Sequence, residues 1–311
     1  VASEDSSSRG GITNEEVIEM LAQHLVTKPV FDALFSKYEF TKLNAVSRAM
    51  DAVLAILEKH NIQKEADTLQ RFYESVKMRA EGIENAEGKQ KIILELYDKF
   101  FRNAFPRLTE RLGIVYTPVE AVDFIIHSVN DILKQEFGIT IGSEQVQVLD
   151  PFTGTGTFIT RLMQSGLLTR EELIKKYKTS IHANEIVLLA YYIAAINIES
   201  TYHDMVGQAS LPVPVIPKKS DDIGVETGDI EVKTGLKPVS TITLGNPTDN
   251  EYHPFEGILL TDTFQLYEKD DLISRMLVDN SERRKRQKAL DIRVIICNPP
   301  YSAKQESAND N

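Results

Sequence analysis

An α/β fold is predicted, a mostly parallel, doubly wound sheet preceded by an all-α helical domain, and three observations predict it. From Thr13 to about Phe105, apolar residues recur at helical spacing with no glycine loop among them. From Gln145 onward, short apolar runs alternate with helical segments, the pattern of a parallel sheet with crossover helices. The first of these runs, Val148-Leu149-Asp150, leads through Pro151-Phe152-Thr153 into Gly154-Thr155-Gly156, a glycine loop that opens a helix.

Residues 1–11 are rich in Ser, Gly and charge and carry too little apolar surface to pack, so they read as a disordered linker. Residues 12–112 form the helical domain. Thr13-Asn14-Glu15-Glu16 has the capping-box arrangement that starts a helix. Val46, Met50, Val53, Leu54 and Leu57 share one face of a helix over Leu43 to His60, and Ile92 to Phe105 repeats the pattern. No titratable cluster falls in this region, which points to a packing or coupling module.

The second unit begins near Gly113 and covers residues 113–311. Thr117-Pro118-Val119-Glu120 places a capping Thr, a Pro at the first helical position and an acid three residues after the cap, so a helix is predicted from Pro118 to Phe137 with its stop at Gly138. Strands are predicted at Gln145–Asp150, Ser180–Asn184, Ile258–Thr261 and Arg293–Cys297. Helices are predicted after Gly156, from Thr169 to Lys178 and from Ile186 to about Thr201. Residues 203–256 lose this periodicity in a Pro-, Gly- and Asp-rich insertion, a length of loop that is commonly functional.

Composition narrows the class. With 311 residues, 42% of them hydrophobic, the chain can bury a full core and holds two units. One cysteine excludes a disulfide framework and fits a reducing cytoplasm, and no apolar run approaches the length of a membrane span. A net charge of -11 makes the chain alone a poor clamp for nucleic-acid phosphates. Arg283-Arg284-Lys285-Arg286-Gln287-Lys288 is the exception, a basic run that reads as a solvated helix end or as a phosphate contact. The start at Val1 and the polar run Ser302–Asn311 after an apparent catalytic loop suggest a piece of a longer polypeptide.

Two motifs carry chemistry. Gly154 and Gly156 allow a sharp turn and a close approach of backbone to ligand, although a Gly-x-Gly loop alone also suits an ordinary tight turn. Gly-Thr-Phe follows where a nucleotide triphosphate site requires Gly-Lys-Ser/Thr. Asp150 ends the first strand, where a carboxylate meets the cationic methionine end of S-adenosylmethionine. Glu185 ends the second, as a ribose ligand or as an acid favoured by a helix N-terminus. Asp262 ends the third, as an acceptor for an adenine amine or as a turn cap. The second motif is Asn298-Pro299-Pro300-Tyr301. The Asn298 side-chain oxygen and the Pro299 carbonyl suit the two N–H bonds of a planar amino group, which lets its nitrogen pyramidalise and attack a sulfonium methyl, while Tyr301 stacks on a flipped base. Cys297 lies in the apolar run Val294-Ile295-Ile296 with no His nearby in sequence, and reads as an inert thiol rather than a nucleophile.

The order Tyr116-Thr117-Pro118, Asp150-Pro151-Phe152, Glu185, Asp262, Asn298-Pro299-Pro300-Tyr301 resembles the gamma arrangement of adenine-N6 DNA methyltransferases over residues 113–301. With the helical domain, Ala183-Asn184-Glu185-Ile186-Val187 and Leu260-Thr261-Asp262-Thr263-Phe264, the chain looks most like single-chain Type ISP restriction-modification enzymes. The resemblance implies a Rossmann-like S-adenosylmethionine-dependent methyltransferase sheet, C-terminally truncated, after a coupler-like domain. It further implies Thr117 and Pro118 as a lid over the cofactor, double-stranded DNA as substrate of the intact protein, and attached ATP-dependent translocase and nuclease domains. The fragment alone is expected to be inactive.

Two other functions fit the same residues. A protein glutamine-N5 methyltransferase uses the same Asn-Pro-Pro-Tyr geometry on a side-chain amide. A non-catalytic module that senses the cofactor for an attached motor and nuclease needs only the binding loop.

Overall fold

A computed structural model describes residues 14–34, 40–58, 78, 117–207, 252–263 and 277–299. The expected linker at 1–11, the helix at Ile92–Phe105, the unit boundary at Gly113, Pro300, Tyr301 and most of the insertion lie outside the described residues. Within them the protein is a mixed α/β structure. Its four-stranded sheet runs β3-β2-β1-β4, with β1 at Gln147–Asp150, β2 at Ile181–Glu185, β3 at Ile258–Leu260 and β4 at Ile292–Ile295. Every pairing is parallel, registered at Val148 to Ile181, Ala183 to Ile258 and Leu149 to Ile295. The chain leaves β1 through β2 to β3, then returns on the other side of β1 with β4. The order reverses between β1 and β4, and in open α/β sheets ligands bind outside the carboxyl ends of the strands at such a point.

The strands lie within about two residues of their predicted positions, and each shift has a local cause. Gln145 and Val146 belong to a turn closed by the Val146 amide on the Ser143 carbonyl, so β1 starts at Gln147. Ser180 still accepts the Val148 amide, and Thr261 still donates to Glu185, one residue beyond the strands proper.

Helix α1 (Asn14–Leu34) is followed by α2 (Phe40–Leu43) and α3 (Ala45–Glu58). The predicted continuous helix over Leu43–His60 is broken at Asn44. The Asn44 side-chain oxygen takes the amides of Val46 and Ser47 at 3.1 and 3.0 Å, which caps α3, a stop worth about 1 kcal/mol. Val46 and Met50 are buried as expected. Helix α4 spans Val119–Phe137 and ends at Gly138, whose φ of 65° is the left-handed cap. Its start corrects the expectation: Pro118 occupies the cap position with an extended ψ of 137°, no side chain caps the helix, and Thr117 lies one residue outside.

Helix α5 (Thr157–Gln164) follows the glycine loop, and α6 (Arg170–Thr179) carries a capping box between Thr169 and Glu172. Helix α7 (Leu188–Gly207) is buried on every face from Leu188 to Ser200, as befits a largely apolar helix enclosed by neighbours. It packs against α1, α5, α6, β2 and β3. It runs past the predicted end at Thr201, so residues 203–207 are helical rather than the start of the insertion. Ile186 and Val187 fall outside it because the Glu185 carboxylate takes their amides. Helix α8 (Val278–Lys288) leads into β4. None of the described helices is long and apolar enough to cross a membrane.

The helical module docks on α7 and α8. Buried His24 of α1 bridges the Tyr192 hydroxyl at 2.9 Å and Asp51 of α3 at 3.0 Å, and burial lowers its pKa. Tyr192 meets Phe31 and Phe40 edge-on. The Asn44 amide donates to the Tyr191 hydroxyl, and Arg48 pairs with Asp279 of α8.

Candidate functional site

At the carboxyl ends of β1 and β2, the backbone folds into a loop that its own side chains hold open. Gly156 has φ 88°, and a Cβ there would lie 3.2 Å from the Ala194 Cα of α7, so only glycine lets the loop seat against that helix. Asn197 of α7 donates to the Thr155 carbonyl at 3.0 Å. Thr153 donates its amide to the Asn184 carbonyl and its hydroxyl to the Asp150 carbonyl. The Gly154 amide donates to Glu185 Oε2 at 2.8 Å. Gly154 itself faces open space, with nothing within 4 Å of where a Cβ would stand.

Two carboxyl groups occupy this end of the sheet. Asp150 is wholly buried. Its Oδ1 accepts the Phe152 amide at 3.2 Å, while Oδ2 is buried with no partner. Burial raises its pKa to about 7 against the opposing pull of the Phe152 amide and then of the Thr153 hydroxyl, and the nearby Glu185 adds to the rise. Glu185 is also pushed to about 7 by burial, opposed by the amides of Val187, Gly154 and Ile186. Those three donors fill three of the carboxylate's four lone-pair positions, with two on Oε1 and one on Oε2. One acceptor position remains.

Beyond β4, the Ile296 amide donates to the Leu149 carbonyl at 3.0 Å, which carries Cys297, Asn298 and Pro299 past the end of β1 beside Asp150. Burial, and then the proximity of Asp150, raise the Cys297 pKa, so the thiol stays protonated and inert. Asn298 is half-buried and Pro299 exposed.

The structure therefore gathers Asp150, Pro151, Phe152, Gly154, Gly156, Glu185 and Asn298 at one end of the sheet. Asp262 joins them through its neighbour Thr263, which donates to the Pro151 carbonyl at 2.7 Å. Thr117 and Pro118 stand one helix away, before α4. An Asp123 to Arg161 pair, with bonds of 2.6 and 2.7 Å, ties the start of α4 to α5. The basic run lies elsewhere: it ends α8 just before β4 begins, and Arg286 pairs with Glu256 two residues ahead of β3, at the opposite end of the sheet from Asn298. Thr263, Asn184 and Asn197 support the site and were not among the expected site residues; Asn184 and Thr263 stand in segments that carry the family resemblance, and Asn197 is marked by an amide within the largely apolar α7.

Residues 6–88 match the family model described as Type ISP restriction-modification enzyme, coupler domain. Among solved structures, the chain is similar to a nuclease-deletion mutant of the Type ISP restriction-modification enzyme LlaGI in complex with a DNA substrate mimic, at 44% identity and a TM-score of 0.74, over 96% of this chain and 21% of that one. The ATP-dependent Type ISP enzyme LlaBIII bound to DNA matches at 47% identity and 0.74, over 95% and 18%. A DrdV–DNA complex matches at 31% identity and 0.72, over 96% and 25%. No curated protein matches the chain. The chain spans about a fifth of the two Type ISP chains it resembles, and it is homologous to Type ISP restriction-modification enzymes, with a coupler-domain match at residues 6–88.

Proposed function

We propose that the chain is the coupler and part of the methyltransferase core of a Type ISP enzyme that methylates adenine N6 in DNA. The observation that carries this reading is the parallel β1–β4 pairing, extended by the Ile296 amide on the Leu149 carbonyl, which brings the chain leading to Asn298-Pro299 beside the strand that leads into the glycine loop. The donor set fits S-adenosylmethionine. Asp150 Oδ2 is a buried acceptor without a donor, suited to the cationic methionine end. Glu185 keeps one acceptor position for a ribose hydroxyl, and Gly154 opens onto free space. The cofactor supplies an electrophilic methyl group when bound. Asn298 and the Pro299 carbonyl accept the two N–H bonds of the target amine, drawing its lone pair out of the ring. Pro299 suits its place because its ring fixes the chain direction and leaves the carbonyl outward, and Pro300 and Tyr301, outside the described residues, complete the motif, Tyr301 to stack on the base after it leaves the duplex. Thr117 and Pro118 close over the methionine side, and Asp262 accepts from the cofactor's adenine amine. Double-stranded DNA as the partner is supported by the DNA complexes of the similar enzymes. Translocase and nuclease domains belong to the same proposal.

A second reading is a non-catalytic module that senses the cofactor and passes its state to an attached motor and nuclease. The coupler match favours it, as does α7, which touches the helical module through Tyr191 and Tyr192 and the glycine loop through Asn197. The intact protein, incubated with cofactor tritiated on the methyl group, separates the readings. Labelled duplex DNA supports the methyltransferase, labelled release factor supports the glutamine-N5 alternative, and cofactor binding without labelling of either supports the sensing module.

A further inference from the structure

We infer that Thr263 is a positioning residue for the cofactor: it pins Pro151, at the entry to the glycine loop, to the segment after β3 that carries Asp262, and is itself held by a buried polar relay. This inference rests on the cofactor assignment above. The Thr263 hydroxyl donates to the Pro151 carbonyl at 2.7 Å and accepts from the Asn184 side-chain amide at 3.3 Å. Asn184, wholly buried in β2, accepts in turn from Gln287 of α8 at 2.9 Å. Asn280 pins the same helix to the end of β3, donating to the Leu260 carbonyl and accepting its amide, both at 2.9 Å.

The relay links four chain segments that are far apart in sequence. It ends on the one carbonyl that precedes Phe152, whose amide orients Asp150. A hydroxyl is the group this position needs, because it alone donates to Pro151 and accepts from Asn184 through one atom. With the hydroxyl removed, the Pro151 carbonyl and an Asn184 N–H both lose partners in a low-dielectric setting, and the loop is free to drift from the geometry that aims Asp150 Oδ2 at a ligand. A 1 Å displacement of a binding group is felt strongly.

The test uses the intact protein with Thr263→Val, which preserves shape, Thr263→Ser, which preserves the hydroxyl, and Lys176→Met as a destabilised control at the other end of the sheet. Affinity for S-adenosylhomocysteine is measured by calorimetry, and amide hydrogen exchange over residues 150–156 is followed without ligand. Thr263→Val is expected to weaken binding about tenfold and to speed exchange in that segment, Thr263→Ser to bind within about threefold of wild type, and Lys176→Met to change neither. Wild-type affinity in Thr263→Val overturns the inference and leaves the cofactor reading standing, as does equal weakening by Lys176→Met. Absence of binding by the wild-type protein overturns both.

Discussion

The two ends of the parallel sheet are built on opposite principles. At the amino ends of the strands, polar groups are matched. Buried Lys176 donates to the Ser143 and Val146 carbonyls at 2.9 and 2.7 Å, and His182 pairs with Gln147 at 2.8 Å. On the same side, Glu199 of α7 takes the Phe255 amide and the Tyr252 hydroxyl, closing residues 252–255 against the helix. At the carboxyl ends, by contrast, Asp150 keeps a buried oxygen without a donor, two carboxyls are held near each other, and the loop between them faces open space. Burying an acceptor without a partner costs about 1–3 kcal/mol. Gln23 Oε1 and Ser47 Oγ are also buried without a partner, both in the helical module, but among the described strand residues only Asp150 carries such an atom, at the mouth of the glycine loop, and this is the form of a binding site whose missing donor belongs to a ligand.

The sharpest way to break this contrast is at Asn298. In the intact protein, Asn298→Ala is expected to abolish methyl transfer to adenine while leaving cofactor affinity within about threefold of wild type, since its amide acts on the target amine and contributes no charge-assisted contact. Methyl-transfer assays beside calorimetry check both halves. Near-normal turnover would remove the catalytic meaning of this end of the sheet.

Asp150→Ala should act on the cofactor instead. Loss of a charge-assisted contact worth about 1.5 to 3 kcal/mol corresponds to roughly ten- to a hundredfold weaker binding. The raised pKa gives this prediction a pH signature. Asp150 and Glu185 are largely protonated below about pH 7 in the free protein, so affinity for a cationic ligand should climb as pH rises through 7 and level off above it. Asp150→Asn should flatten much of that rise. The stability of the ligand-free protein should move the other way. Their folded pKa values lie above the ordinary carboxyl range, so the folded state binds more protons from about pH 4 to 7, and these carboxyls favour folding at the acid end of that window and lose that contribution by pH 7. Thermal melts across that range check the sign.

How legible the two ends were follows from what marks each in a linear chain. The strands, the glycine loop, the Gly138 stop and the Thr169 helix were visible because periodicity and capping are local. Asp150 and Asn298 were visible because each ends an apolar run, and Glu185 because it ends the second predicted strand. The cap at Asn44 was missed because its apolar flanks, Leu43 and Val46, kept the helical spacing across it. The length of α7 was missed because His203 and Asp204 look like a boundary; only packing shows that His203 stacks on Tyr252 and that its neighbour Tyr202 stacks on Tyr177. The Thr263 relay was invisible for the same reason: its partners, Pro151, Asn184 and Gln287, meet only in three dimensions.

Lys176 provides the opposite extreme, a buried charged group whose loss should leave function untouched. Lys176→Met removes the donor to the Val146 carbonyl and one of the two donors to the Ser143 carbonyl, which also receives the Val146 amide. A destabilisation of about 1 to 3 kcal/mol is expected, with cofactor affinity unchanged. Burial lowers the Lys176 pKa to about 8, so between there and the ordinary lysine range the unfolded state binds the extra proton. The wild-type protein should therefore gain stability as pH rises through that window, and the methionine variant should not, so the gap between their unfolding free energies widens with pH. Denaturant titrations at pH values on either side of 8 measure the gap directly. A change in cofactor affinity at constant stability would show that the amino end of the sheet reaches the site, and the division drawn between the two ends would have to be abandoned.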